Sequence, residues 1–189
     1  MNILGISCSP RKGGNTDILV QTALEQVKEL GAQTDFFSVS DKTINFCDAC
    51  QACFKDKVCR IDDDMQILYS KFNEIDGLIF GTPVYFLNVS AQAKAIIDRT
   101  YAIRGKLKGK VAGLIVVTRR VGAGQVLSLL NSYFTFQRMI IAGAGIGYGL
   151  NKGDVRQGPG GAPESSALKE AAGVGKNVFN MIKRLNKDI

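Results

Sequence analysis

The sequence predicts a doubly wound α/β fold, with a five-stranded parallel sheet in the order 2-1-3-4-5 covered by helices on both faces. Three observations predict it. Short runs rich in Val, Ile and Leu alternate with longer segments of helical apolar spacing, the pattern of strands buried on both faces between crossover helices. Five such runs occur, with no internal repeat and no second domain. The turn after the first run is polar and glycine-rich and leads into a helix, as at the ligand-binding end of an open parallel sheet.

The elements follow in order. Residues 2–7 (NILGIS) form a short apolar strand that stops at Ser-Cys-Ser-Pro. Residues 16–30 carry Ile18, Leu19, Ala23, Val27 and Leu30 at helical intervals and close on Gly31. Residues 33–39 read as the second strand, and 62–75 as a helix with acidic residues at its positive end. A buried strand follows at 77–81, then a helix over 90–103 with a Ser start, a strand over 109–118 and a helix over 124–137. QRMIIAGAGIGYG (137–149) closes the sheet. A last helix over 164–186, with Leu168, Ala172, Val178, Ile182 and Leu185 in register, should dock on it. Two segments break the rhythm: 40–61, which carries four cysteines, and the Gly-rich 150–163, expected to be a mobile or partner-contacting loop.

At 189 residues the chain suits one domain, 1–189, that can bury a core without disulfides or structural metal. Its composition, 46% hydrophobic and 22% charged, is that of a soluble protein, and no stretch approaches the roughly 18 apolar residues of a bilayer span. No membrane association is expected. The start lacks a basic stretch and a small-residue cleavage site, so the expected location is cytoplasmic. The net charge is +7, but Lys and Arg are scattered, with no long basic run and no arrangement of aromatics beside them, so anionic cofactors are the expected reason for it and nucleic acid is not expected. The chain has no histidine. That excludes Ser-His-Asp and Cys-His catalysis and every His-ligated metal.

Residues 7–17 read SCSPRKGGNTD. Between a strand and a helix this loop suits a phosphate: Ser9, Asn15 and Thr16 offer neutral hydrogen-bond groups, Gly13 and Gly14 let backbone amides approach, and Arg11 can fork onto phosphate oxygens. The alternative is a polar loop with Asn15 or Thr16 as an ordinary helix cap. GAGIGYG (143–149) mimics a dinucleotide fingerprint but ends a strand and enters a loop, without the required helix. A second loop, 81–94, lies across the point where strand order reverses. Pro83 stiffens it, and Val84, Tyr85 and Phe86 either offer a surface for a flat ring such as a flavin or pack into the core. In a third loop, 118–124, Gly122 and Gly124 could admit a ring edge.

Cys47, Cys50, Cys53 and Cys59 have the spacing C-x2-C-x2-C-x5-C. In a reducing compartment such a group binds metal or does redox chemistry. The first three can wrap three corners of a cubane cluster, and the step to Cys59 reaches roughly 20 Å if extended, enough to return for the fourth. Ferredoxin runs send their last cysteine to a second cluster, but no second set exists here, so one [4Fe-4S] cluster per chain is the economical reading. Zinc, which prefers two separated C-x2-C knuckles, and free or disulfide-switching thiols stay open. Cys8 reads as a small buried side chain, and Asp62, Asp63 and Asp64 as helix-start charges.

SPRKGGNT, the cysteine motif followed by Asp-Asp-Met, and GTPVYFLNVSAQAKAIIDR together resemble the NAD(P)H-dependent FMN reductase superfamily, specifically its iron-sulfur flavoprotein branch. The resemblance spans nearly the whole chain. It implies a flavodoxin-like fold, with FMN phosphate held by Ser9, Arg11, Asn15 and Thr16 and the isoalloxazine contacted by Pro83 to Phe86. It also implies a [4Fe-4S] cluster on the cysteine motif, a homodimer or homotetramer in which cluster approaches FMN across a subunit interface, and ferredoxin as a donor, with oxygen, peroxide or another protein as acceptor.

The expected function is electron transfer between FMN, which takes two electrons, and the cluster, which takes one, with ferredoxin or NAD(P)H as donor and a small molecule or protein as acceptor. The chemistry is cofactor-borne, so no catalytic side chain is expected. Two alternatives are a cluster-free NAD(P)H-dependent FMN reductase acting on quinones, nitroaromatics or free flavin, and a flavodoxin-like carrier or sensor.

Overall fold

A computed structural model describes residues 1–157 and 166–186. Among them the strands are β1 (Asn2–Ser7), β2 (Gln33–Ser38), β3 (Gly77–Tyr85), β4 (Asn88–Val89), β5 (Val111–Thr118) and β6 (Ile140–Tyr148). The helices are α1 (Asn15–Glu29), α2 (Ala52–Asp56), α3 (Met65–Glu74), α4 (Ala91–Arg99), α5 (Ala123–Phe136) and α6 (Ser166–Leu185), and a 3-10 turn, Thr100–Ile103, extends α4.

The long strands are all parallel, with β1 between β2 and β3. Every residue of β5, which lies between β3 and β6, is buried, which its apolar run anticipates. Side chains alternate between the two layers. Leu4, Ile6, Leu78, Phe80, Leu114 and Val116 join the core under α3, α4 and α5, while Ile3, Ile79 and Ile115 join the core under α1 and α6. Gly81 has no room for a Cβ, which would lie 2.4 Å from Val20 and 3.0 Å from Thr16. Its bare backbone therefore lets the start of α1 settle on the end of β3.

The expected five strands in the order 2-1-3-4-5 are corrected to six, running β2-β1-β3-β5-β6, with β4 off this path and antiparallel to β3. The cause is local. After β3 the chain reverses through Phe86 and Leu87, at φ 51° and 64°, so that Val84 and Tyr85 pair with Val89 and Asn88. Two consecutive residues at positive φ give a turn whose twist matches a hairpin.

Other boundaries move by a few residues. The helix expected from 62 begins at Met65, leaving the three aspartates ahead of it. Ser90 starts α4 as expected, its Oγ accepting from the Ala93 amide at 3.1 Å. Residues 164 and 165 of the expected last helix, and 158–163 of the Gly-rich loop, lie outside the described residues. The connection from β2 to α3 carries Cys47, Cys50, Cys53 and Cys59, with α2 as its short helix. No helix among the described residues is long and apolar enough to cross a membrane.

Candidate functional site

The loop after β1 is built by its own hydrogen bonds. The Arg11 amide donates to Ser9 Oγ (3.1 Å) and the Gly14 amide to the Arg11 carbonyl (2.9 Å), closing a turn whose corner, Gly13, has φ 63°. The buried carboxylate of Asp17 accepts from the Gly13 amide at 2.7 Å and from the Ser7 hydroxyl. It fastens the loop to the end of β1. Gly14, not Asn15 or Thr16, is the cap residue of α1, with no side-chain cap bond. Asn15 does other work: its Nδ2 donates to the Asn151 carbonyl (2.9 Å) and its Oδ1 accepts from the Gly153 amide (2.7 Å). The described part of the Gly-rich loop is thereby pinned across the start of α1.

A cleft of about 230 Å³ opens at the carboxyl ends of β1, β3 and β5. Ser9, Arg11, Gly14, Asn15 and Thr16 line one side, and Pro83, Val84 and Tyr85 another. Phe86 does not line it but stands fully exposed at the hairpin tip. Gly122 and Gly124 also lie outside its lining. A Cβ on Gly122 would fall 2.8 Å from Val84 and 3.2 Å from Leu87, so this glycine seats the hairpin, while Gly124 has nothing within 4 Å. Sequence reasoning brought the loop 118–124 to this cleft but singled out its glycines, whereas Thr118 and Arg119 line it, and it missed Gly149, Leu150 and Lys152. Their position after β6, at the ligand-binding end of the sheet, is what could have found them. Arg11, Arg119 and Lys152 line this cleft and no carboxylate does among the described residues. With the amides of a helix start beside them, the arrangement favours an anion.

A second cavity, of about 470 Å³, is lined by Cys47, Cys50, Cys53 and Cys59 on one side and by Arg99 and Tyr101 on the other. Among the described residues no three His, Cys, Asp or Glu side chains stand close enough to hold a metal ion. A tetrahedral zinc would need its sulfurs about 3.8 Å apart. The segment is held by arginines. Arg104 donates to the carbonyls of Cys53 (3.0 Å) and Phe54 (3.4 Å) and stacks over the rings of Phe54 and Tyr101. Asp48 accepts from Arg60 at 2.6 Å, which lowers its carboxyl to about 2.

Arg99 and Asp63 pair with their side chains 0% and 3% exposed, Nη1 donating to Oδ2 at 2.5 Å. Asp63 also accepts from the amides of Asn45 (2.8 Å) and Met65 (3.0 Å). Burial pushes its carboxyl up, but Arg99 and those amides outweigh burial and hold it below its ordinary value. Asp63 thus serves the start of α3 through the Met65 amide, as expected, and is in addition the counter-ion of a buried arginine. Arg99 spans the segment, donating to the carbonyls of Asn45 and Ile61 (both 3.2 Å) and to Cys59 Sγ (3.5 Å). Cys8 is fully buried, as its sequence position suggests, and burial pushes its thiol well above the ordinary range.

Residues 1–149 match the NADPH-dependent FMN reductase family. An iron-sulfur flavoprotein of Methanocaldococcus jannaschii is 36% identical, over 99% of this chain and 100% of its own. The crystal structure of RosB with a bound 8-demethyl-8-formylriboflavin-5′-phosphate superposes with a TM-score of 0.80 at 18% identity, covering 99% of this chain and 81% of RosB. A flavodoxin from the domain Archaea gives 0.64 at 11%, covering 97% of this chain and 99% of the flavodoxin. The chain therefore belongs to the NADPH-dependent FMN reductase family, on its iron-sulfur flavoprotein branch, as an FMN-dependent oxidoreductase of flavodoxin-like fold.

Proposed function

We propose that this chain, as one FMN-binding domain, transfers electrons between FMN in the cleft and a [4Fe-4S] cluster held by Cys47, Cys50, Cys53 and Cys59. The observation that carries the reading is the pair of cavities: one is basic and lined by the loop after β1, and the other is lined by all four clustered thiols. FMN takes electrons in pairs or singly and a cluster takes them singly, so holding both joins two-electron donors to one-electron acceptors.

The residues divide the task. Arg11, Arg119 and Lys152 offset the phosphate charge, and the loop amides and Ser9 hydroxyl direct its oxygens. Gly13 and Asp17 keep that loop in shape, and Asn15 holds 149–153 across it. The cleft is smaller than the about 300–1,000 Å³ of an enclosing ligand site, so the ring lies partly over Pro83, Val84, the exposed Tyr85 and the hairpin tip at Phe86. Gly122 contributes by seating that hairpin, and Gly124 leaves the approach open.

What supports the cluster is the donor set: all four clustered thiols line one cavity, while no three described ligands stand within reach of a single metal ion. The segment around it exposes Phe46, Phe54 and Val58, at 79%, 59% and 59%, which suits a homodimer or homotetramer that covers this surface. NAD(P)H or ferredoxin is the donor, a small molecule or protein the acceptor, and the compartment is the cytoplasm.

Anaerobic purification tests the reading by the iron, sulfide and FMN found per chain. About four iron and four sulfide with one FMN are expected. FMN without iron after anaerobic reconstitution would instead favour the second reading, a cluster-free NAD(P)H-dependent FMN reductase with redox-active thiols. That reading draws on the absence of any three described ligands close enough for a metal ion.

A further inference from the structure

Arg99 closes α4 with its side chain wholly out of solvent. An arginine serving only to fasten a loop would be complete with the Asp63 carboxylate and the carbonyls of Asn45 and Ile61. Two features go beyond that. Nη2 also reaches the Cys59 sulfur at 3.5 Å, and Nε is buried with no partner at all. Buried donors are almost always satisfied, so an orphaned N–H on a residue that lines a cavity marks the place of an absent acceptor. All four thiols line that cavity, and its two carboxylates, Asp48 and Asp98, are already paired with Arg60 and Lys94, so sulfur is the acceptor that the thiols and a bound cluster would supply.

We propose that Arg99 is a positioning residue of the cluster site, donating through Nη2 to the Cys59 sulfur and through Nε to a second sulfur of the bound cluster, and so raising the cluster's reduction potential. The inference rests on the cluster reading above. Reduction adds one electron, and hence one negative charge, to the group in the cavity. Donors fixed in a poorly solvated site stabilise the more negative form more than the less negative one. Asp63 holds the guanidinium in place without occupying its other edge. The planar fork of an arginine can serve a carboxylate and sulfurs at once, which a single ammonium cannot.

The test is the cluster's midpoint potential in wild type, Arg99→Lys and Arg99→Gln, followed by EPR during anaerobic dithionite titration, with iron per chain and circular dichroism on each sample. The variants should fold, retain iron, and at the wild-type midpoint show a reduced-to-oxidised ratio at least tenfold lower, equivalent to about 59 mV for one electron. Resonance Raman should show the Fe–S(Cys) stretches shifted to higher frequency as the hydrogen bond is lost. If Arg99→Gln fails to fold, Arg99→Lys, which keeps a cation for Asp63, carries the test. A ratio within twofold of wild type in a folded, iron-loaded variant overturns the inference. So does a folded variant that retains no iron, which would make Arg99 a structural residue of the segment. Wild-type protein that holds no iron after anaerobic reconstitution overturns the cluster reading itself, before any variant is made.

Discussion

Arg99 and Asp63, 36 residues apart, meet at 2.5 Å with both side chains buried. Removing one partner of such a pair leaves an uncompensated charge in the interior. Asp63→Asn should therefore cost about 3–5 kcal/mol of folding stability, read from urea unfolding. A cost below about 1 kcal/mol would show that the segment is held by its other bonds. The pH dependence has a defined sign. The folded carboxyl titrates below its ordinary value, so its contribution is complete above pH about 4 and is lost as pH falls through the lower folded value. The gap between wild type and Asp63→Asn should stay flat from roughly pH 5 to 8 and close below pH about 4.

Asn15 spends both ends of its amide on the 149–153 loop. At about 0.5–1.5 kcal/mol for each net hydrogen bond, Asn15→Ala should weaken FMN binding about tenfold, measured by titration of flavin fluorescence. An unchanged dissociation constant would mean that the pinned loop takes no part in holding the cofactor.

The hairpin tip is strained, because Phe86 and Leu87 both adopt the left-handed conformation at about 1–2 kcal/mol per residue. Replacing the pair by Asn-Gly, the residues such a turn prefers, should raise stability by about 1–3 kcal/mol and the melting temperature with it. If Phe86 contacts the flavin ring, the same double variant should lose affinity or turnover. Gains in both stability and activity would leave the strain without a functional reason.

Cys8 differs from the clustered thiols in being wholly buried and hard to ionise. In folded iron-free protein, iodoacetamide at about pH 8 should label up to four cysteines and spare Cys8, with the fifth reacting only on unfolding. Peptide mass spectrometry would locate the labels, and rapid native labelling at Cys8 would show that the root of the loop after β1 opens.

The parallel sheet was readable because its signal is local: buried strands are apolar throughout, and each helix carries its own 3.6-residue stripe. The loop after β1 was readable for a related reason, since a polar Gly-rich run between an apolar strand and a helical stripe marks the turn at the sheet's carboxyl end. β4 was not, because Phe-Leu is no turn signal and the surrounding fold imposes its conformation. The Arg99–Asp63 pair was hidden differently. An aspartate triplet before a helix looks like ordinary dipole chemistry, and its partner lies on another helix. One trace was available, since Arg99 falls three residues after Ile96, on the stripe that α4 buries. An arginine on an apolar stripe calls for a counter-ion.

Helix α4 joins the two cavities. Ser90, at its start, donates to the Cys8 carbonyl at the root of the loop after β1, and Arg99, at its end, grips the cysteine segment. At 1.5 Å per residue the span between them is about 14 Å. Mechanically α4 is a strut, stiff along its axis and fixed at both ends. Thermal motion that sways the cysteine segment can tilt it about Arg99 but can hardly shorten this span, so the separation of the two sites within one chain behaves as a built-in length. Substitutions anywhere in 42–62 can then reshape one end without resetting the other.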